Sequence, residues 1–323
     1  MRRHVQTFLA VAGLTTREMV RQPLTLLVTA CAVAVAALLP LLTTHTLDEG
    51  EKIIADNALA LHFFLGLFLA AMSASHAMSA ELRRGTAAAV LAKPVDRAVF
   101  FLAKYAGLAA GMAMYSAILA PATLMAARVV AVPFFWDWRV EIPFLCTVPL
   151  ALLGAAAANF LTRRSFASLT WYLLLLFVLG AFVAGGWQPK EGIAPERFGA
   201  FYLRPMFAAN GLIAVALLVL TAIALAASTR LEAVPTMVLS AGVFLVGLVS
   251  DHLFAGRADR WWWAGALRAV VPNWQHFWLA DAVLLDAPVP PSYIVAVLGY
   301  AAAYLIGILA VGIVMFRSAE VKT

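Results

Sequence analysis

Apolar residues in this chain gather in long unbroken runs instead of one-sided stripes. A helix crossing a hydrocarbon core of about 30 Å needs roughly twenty such residues. Eight runs are predicted as spans: 24–42, 58–79, 100–127, 142–161, 166–186, 207–228, 235–250 and 293–316. The seventh is short, and the fourth and fifth are joined by a turn of only four residues. Ahead of the first run, Val5, Phe8, Leu9, Ala12, Met19 and Val20 recur at helical spacing, with Arg17, Glu18 and Arg21 among them. Residues 1–23 therefore read as an amphipathic helix in the inner interface, hinged at Pro23. The expected fold is all-α, a single polytopic transmembrane bundle over 1–323 with no second, soluble domain.

Basic residues orient the bundle. With the N-terminus inside, the cytoplasmic side holds Arg2, Arg3, Arg17, Arg21, Arg83, Arg84, Lys93, Arg97, Lys104, Arg163, Arg164, Arg230, Arg317 and Lys322, fourteen of the 23. Asp48, Glu49, Glu51 and Asp56 crowd the first outer loop. Trp136, Trp138, Trp187, Trp261, Trp262, Trp263, Trp274 and Trp278 fall at outer ends or in outer loops, where indole rings favour the interface. Both termini are expected in the cytoplasm, and a bacterial plasma membrane is the expected location.

Composition agrees with this placement. Apolar residues make up 64% of 323 and charged residues 12%, about half the share usual in soluble domains. The formal charge of +6 belongs to the inner face and anionic lipid, so it needs no nucleic acid. Cys31 and Cys146 both sit in apolar runs and read as small core residues, with no disulfide or metal-ligand spacing. The windows 155–180 and 222–247 match at Ala155/Ala222, Ala157/Ala224, Thr162/Thr229, Arg163/Arg230, Phe177/Phe244 and Gly180/Gly247. Chance between Ala-rich segments and a duplicated helical hairpin both account for that match.

Several function classes lose support. No Asp or Glu lies in the middle of a span, which argues against an ion-driven carrier. Metalloprotease and serine-hydrolase motifs are missing, and no glycine precedes a lysine, so a Walker A phosphate loop is absent. No cofactor, metal or catalytic residue is expected. Polar groups within spans are His62, Ser73, Ser75, His76 and Ser79, with Asn159 in the fourth. Helix-to-helix hydrogen bonding accounts for them, and a substrate path lined by His62, Ser73, His76 and Asn159 is the functional alternative.

The inner loop at 80–98 carries the sharpest pattern. Glu81, Arg83 and Arg84 are too costly for the bilayer centre and belong at the inner interface. Gly85 can end a helix, Thr86 can cap a new one, and Ala87 to Ala92 form a short apolar helix before Lys93 and Pro94. An apolar cytoplasmic helix between charges calls for a cover, either its own membrane domain or a partner's groove.

Glu81, Gly85, Thr86, Leu91, Pro94, Arg97 and Lys104 together resemble the coupling loop of ABC-2 type ABC transporter permeases. The N-terminal helix, the Ala-Ser-Thr-Arg turn at 227–230 and the outer stretch 267–282 resemble that family too, and within it the multicopper-enzyme-maturation and gliding-motility group. The resemblance implies an exporter subunit without its own ATPase, forming homo- or heterodimers and coupled to a cytoplasmic ABC ATPase. Glu81, Arg84, Gly85, Thr86, Leu91, Lys93, Pro94 and Arg97 would make that contact. Family members commonly have six spans, which is the alternative count, with 142–186 as the extra pair. A non-transporting scaffold and an intramembrane enzyme are the competing classes. The outer segment 251–291, rich in aromatic residues, reads as an interfacial anchor, with interfacial helices that dip back into the bilayer as part of the same expectation, and the substrate is not legible.

Overall fold

Inside hydrocarbon every backbone N–H and C=O has to be paired within the chain, and helices do this segment by segment. The computed structural model describes residues 2–42, 50–83, 96–129, 137–190, 193–253, 261–262, 265–266, 270–285 and 287–318. Among them no strand occurs, only an isolated bridge between Lys190 and Ile193. The helices are α1 (Arg2–Arg21), α2 (Pro23–Leu42), α3 (Gly50–Arg83), α4 (Arg97–Val129), α5 (Trp138–Thr162), α6 (Phe166–Gly186), α7 (Arg204–Ser228), α8 (Ala233–Leu248), α9 (Ala280–Leu284) and α10 (Pro291–Arg317), with a 3-10 turn at Trp274–Phe277.

Seven of these, α2 to α7 and α10, are long and apolar enough to cross a membrane. The run expected at 235–250 becomes α8, a helix of 16 residues and so about 24 Å, short of a full core. The helices also outrun their apolar stretches. α3 begins at Gly50, eight residues before the run at 58, because hydropathy marks the membrane-embedded part and not the helix.

The centre is built by α3, α4 and α7. Gly66 of α3 lies so close to Leu217 of α7 that a Cβ would stand 2.5 Å from its Cδ1. α1 packs beside the first half of α4: a Cβ on Gly107 would stand 2.5 Å from the Ala12 carbonyl, and one on Gly111 would meet the Met19 sulfur. The hairpin α5–α6 closes through Arg163, the described non-glycine residue with a left-handed backbone (φ 55°). The second window of the internal match is also helix–turn–helix, but Arg230 there has no positive φ, so the two turns differ.

The segment 271–277 packs into the bundle, as a stretch dipping back from the interface would. The Tyr304 hydroxyl donates to the Val271 carbonyl over 3.2 Å, and the Asn273 amide donates to the Tyr300 hydroxyl over 2.8 Å. Tyr304 lies thirteen residues beyond Pro291, about 20 Å along α10. Val271 thus reaches the depth of mid-helix α10, and the segment runs back from there to His276, whose carbonyl accepts from Tyr293 near the start of that helix. Trp274 is fully buried there against Phe63 and Phe244, correcting its placement among the interfacial indoles, while Trp138, Trp187, Trp261 and Trp262 are exposed. Cys31 and Cys146 are also corrected, since both face outward from their helices and not into the core.

Candidate functional site

α3 and α4 are the two stems of the predicted coupling segment. Glu81 falls in the last turn of α3, but its side chain lies outside the described residues. Arg84, Gly85, Thr86, Leu91, Lys93 and Pro94 lie outside them altogether. Arg97 opens α4 and donates from Nη1 to the Arg317 carbonyl over 2.8 Å. Asp96 accepts from the Ala98 amide at 2.8 Å, a carboxylate at a helix N-terminus, and stands 3.9 Å from the Arg317 guanidinium. Arg230 meanwhile donates to the Met315 carbonyl at 3.2 Å and the Ser318 hydroxyl at 2.6 Å. The start of α4, the end of α7 and the end of α10 therefore share one face of the bundle.

α1 holds both stems. The Thr16 hydroxyl donates to the Gly107 carbonyl of α4 over 2.9 Å. Two residues later, Glu18 stands 3.9 Å from the ammonium of Lys104, whose side chain is only 3% exposed. Gln22, one turn further, brings its amide nitrogen to 2.7 Å from Nδ1 of His76 on α3. Thr16 and Glu18 of α1 and Gln22 just after it thus reach across both stems.

The four polar residues expected along a substrate path do not form one site. His62 is fully buried, with Nδ1 2.9 Å from the Asn210 carbonyl oxygen and Nε2 3.1 Å from the Ser116 hydroxyl. Thr123 donates to that same Asn210 oxygen at 3.0 Å, and Tyr115 donates to the His62 carbonyl at 3.1 Å. Asn210 donates to its own Met206 carbonyl, so its side-chain oxygen is the acceptor that faces His62. The network joins α3, α4 and α7. Ser73 is buried three turns further along α3, with no hydrogen-bond partner for its hydroxyl among the described residues. His76 is exposed, and Asn159 donates to the Arg164 carbonyl within the α5–α6 turn.

A second polar node, which the sequence reading passed over, sits at the other end of α4. Arg128 is buried, pairs with Asp137 at 3.4 Å, and donates to the carbonyls of Gly185 and Gln188. Its guanidinium carbon stands 5.2 Å from the Tyr202 ring centre and 5.6 Å from that of Phe201. Lys190 donates to the Arg128 carbonyl at 3.3 Å. Burial pushes the Tyr202 hydroxyl up to about 12, against the opposing pull of Arg128. Nearby in sequence, Glu141 is 0% exposed, and neither carboxyl oxygen has a hydrogen-bond partner among the described residues. A cavity of about 710 Å³ opens beside this node, lined by Phe201, Tyr202, Arg204, Pro205, Pro288 and Val289. The signal available in sequence was Arg128 itself, a cation placed directly after twenty-eight largely apolar positions.

Among the described residues, no group of three or more His, Cys, Asp or Glu side chains is arranged to hold a metal ion. Comparison with protein-family models, with curated proteins and with solved structures finds no match for this chain.

Proposed function

We propose that the chain is the transmembrane permease subunit of an ATP-binding cassette exporter, energised by a separate cytoplasmic ATPase. The observation that carries this reading is the pair of stems. α3 and α4 are braced by α1, they flank the segment 84–95, and that segment bears the Gly85, Thr86, Leu91 and Pro94 pattern. An energy-receiving loop needs stiff supports, because motion applied at its tip has to reach the bundle without being absorbed by frayed helix ends. Missing Walker A and mid-span carboxylates fit a subunit driven from outside itself.

This reading takes eight passes through the membrane. α7 ends on the face where α10 ends, so the chain between Ser228 and Pro291 has to change sides. α8 carries most of that passage, and the deep segment 271–277 completes the packing above it. Both termini then lie in the cytoplasm, with α1 in the inner interface, and the membrane is a bacterial plasma membrane. The ATPase pairs with two permease domains, one of which is this chain.

Replacing Leu91 with Asp would bury a carboxylate at the ATPase contact, a costly burial. The expected result is lost co-purification with the ATPase and lost stimulation of its turnover, with the variant still folded. Normal values of both would sink the reading. Cysteine labelling in intact cells tests the topology: a cysteine at position 84 should resist external reagent, and one at 262 should react.

A further inference from the structure

α1 presents two chemically different faces. One carries Thr15, Met19 and Val20, buried against the bundle, with Glu18 turned to Lys104. The other carries Leu14, Arg17 and Arg21, spaced three and four apart and all exposed. Glu18 is the only acidic residue on the helix, and its charge is taken up by Lys104. Arg17 and Arg21 have no ion-pair partner among the described residues, so the outward face is cationic and uncompensated. An exposed leucine one turn before two exposed arginines matches a lipid with an acyl chain beside an anionic headgroup.

We infer that α1 binds anionic phospholipid through Arg17 and Arg21, and that the bound lipid fixes the spacing of the two stems. The link is short. Arg17 is next to Glu18, which holds α4 through Lys104, and Arg21 is next to Gln22, which reaches His76 on α3. Headgroups held by both arginines stop the helix from rolling about its axis, and rolling is the motion that would separate Glu18 and Gln22 from their partners. Inorganic phosphate supplies the charge without the chain, so Leu14 has no role in binding it. The lipid is therefore the occupant.

The inference rests on the inner-face placement of α1 in the proposed reading but not on the ATPase, so the test leaves the ATPase out. Spin labels are placed at Arg83→Cys and Ala98→Cys in a protein with Cys31→Ala and Cys146→Ala, reconstituted without ATPase. The distance distribution between them is measured in pure phosphatidylcholine and with added phosphatidylglycerol. The expected result is a narrower distribution with phosphatidylglycerol. That narrowing should be lost in Arg17→Gln/Arg21→Gln and kept in Arg17→Lys/Arg21→Lys. Identical distributions in the two lipids would overturn the inference, as would narrowing that survives in the Gln pair. Narrowing produced equally by inorganic phosphate in phosphatidylcholine would overturn the lipid as the occupant.

Discussion

The Tyr304 hydroxyl donates a 3.2 Å hydrogen bond to the Val271 carbonyl, and this bond ties the segment 271–277 to the middle of α10. Non-helical backbone at membrane depth is tolerated only where protein pairs its polar groups. α10 provides those partners from Tyr293, Tyr300 and Tyr304, which serve His276, Asn273 and Val271 in turn. Gln275 closes the end of α8 by donating to the Leu248 carbonyl. Gly247 completes the fit, since a Cβ there would run into the Pro272 carbonyl.

Tyr304→Phe takes the donor from the half-buried Val271 carbonyl, which costs about 1 kcal/mol. Tyr300→Phe does the same to the Asn273 amide. Each should lower the unfolding temperature in detergent, and a cysteine at Gln275 should react faster in either variant. An unchanged rate would show that the segment keeps its depth without the tyrosines.

The His62–Asn210 pair tests whether the central network holds the helices together. Hydrogen bonds between membrane helices average about 0.6 kcal/mol in double-mutant cycles, because the separated helices find other partners. A cycle of His62→Ala and Asn210→Ala should give coupling of that order. The single losses should be larger, since each also leaves a cavity and an unpaired neighbour. Zero coupling would leave shape alone to join α3 and α7 at this point.

Much of the bundle was legible because long apolar runs permit few alternatives to helix. What periodicity could not give was which side of each helix meets the protein. Cys31 and Cys146 look like core residues from their runs, yet their faces point outward. Trp274 looks interfacial from its loop, yet its ring fills the space against Phe63 and Phe244. His62 was visible as a polar intruder, but its partners lie 54 and 148 residues away and no local pattern names them. The proposed coupling residues between 84 and 94 stand on sequence alone.

Gly107 and Gly111 should respond differently to alanine. A Cβ on Gly107 meets the Ala12 carbonyl and, at 2.6 Å, the Thr15 Cβ, both fixed by the helix backbone. A Cβ on Gly111 meets the Met19 sulfur, the flexible part of an adaptable side chain. Gly107→Ala should therefore push α1 away and speed proteolysis of residues 2–21, while Gly111→Ala should be close to wild type. Equal sensitivity would show that α1 is free to shift as a body.

Tyr202 gives a pH-dependent signature. Its hydroxyl donates to the Phe182 carbonyl at 2.8 Å, and burial raises it from about 10 to about 12. Below pH 10 the group is neutral in both folded and unfolded chains, so its stabilisation is fully present. From pH 10 to 12 the unfolded chain loses the proton while the folded one keeps it, so stability falls as pH rises. The advantage of wild type over Tyr202→Phe should shrink across that window, measured by denaturation at each pH. A constant difference would mean the hydroxyl is open to water.

Arg128 should be the most sensitive single position at its end of the bundle. It ties the last turn of α4 to Asp137 ahead of α5 and to carbonyls in the last turn of α6 and just after it, with the Phe201 and Tyr202 rings around it. Removing one partner of a buried ion pair leaves an uncompensated charge, and the loss is about 3–5 kcal/mol. Arg128→Leu should therefore unfold far more readily than Asp137→Asn, which leaves a hydrogen-bonding group beside the guanidinium. Apolar replacement of both partners is far milder in general, because no buried charge remains. Arg128→Leu/Asp137→Leu should accordingly recover part of the loss, leaving only the orphaned carbonyls of Gly185 and Gln188. If the double variant is as unstable as Arg128→Leu alone, the carbonyl contacts rather than the ion pair hold α4 to the α5–α6 hairpin.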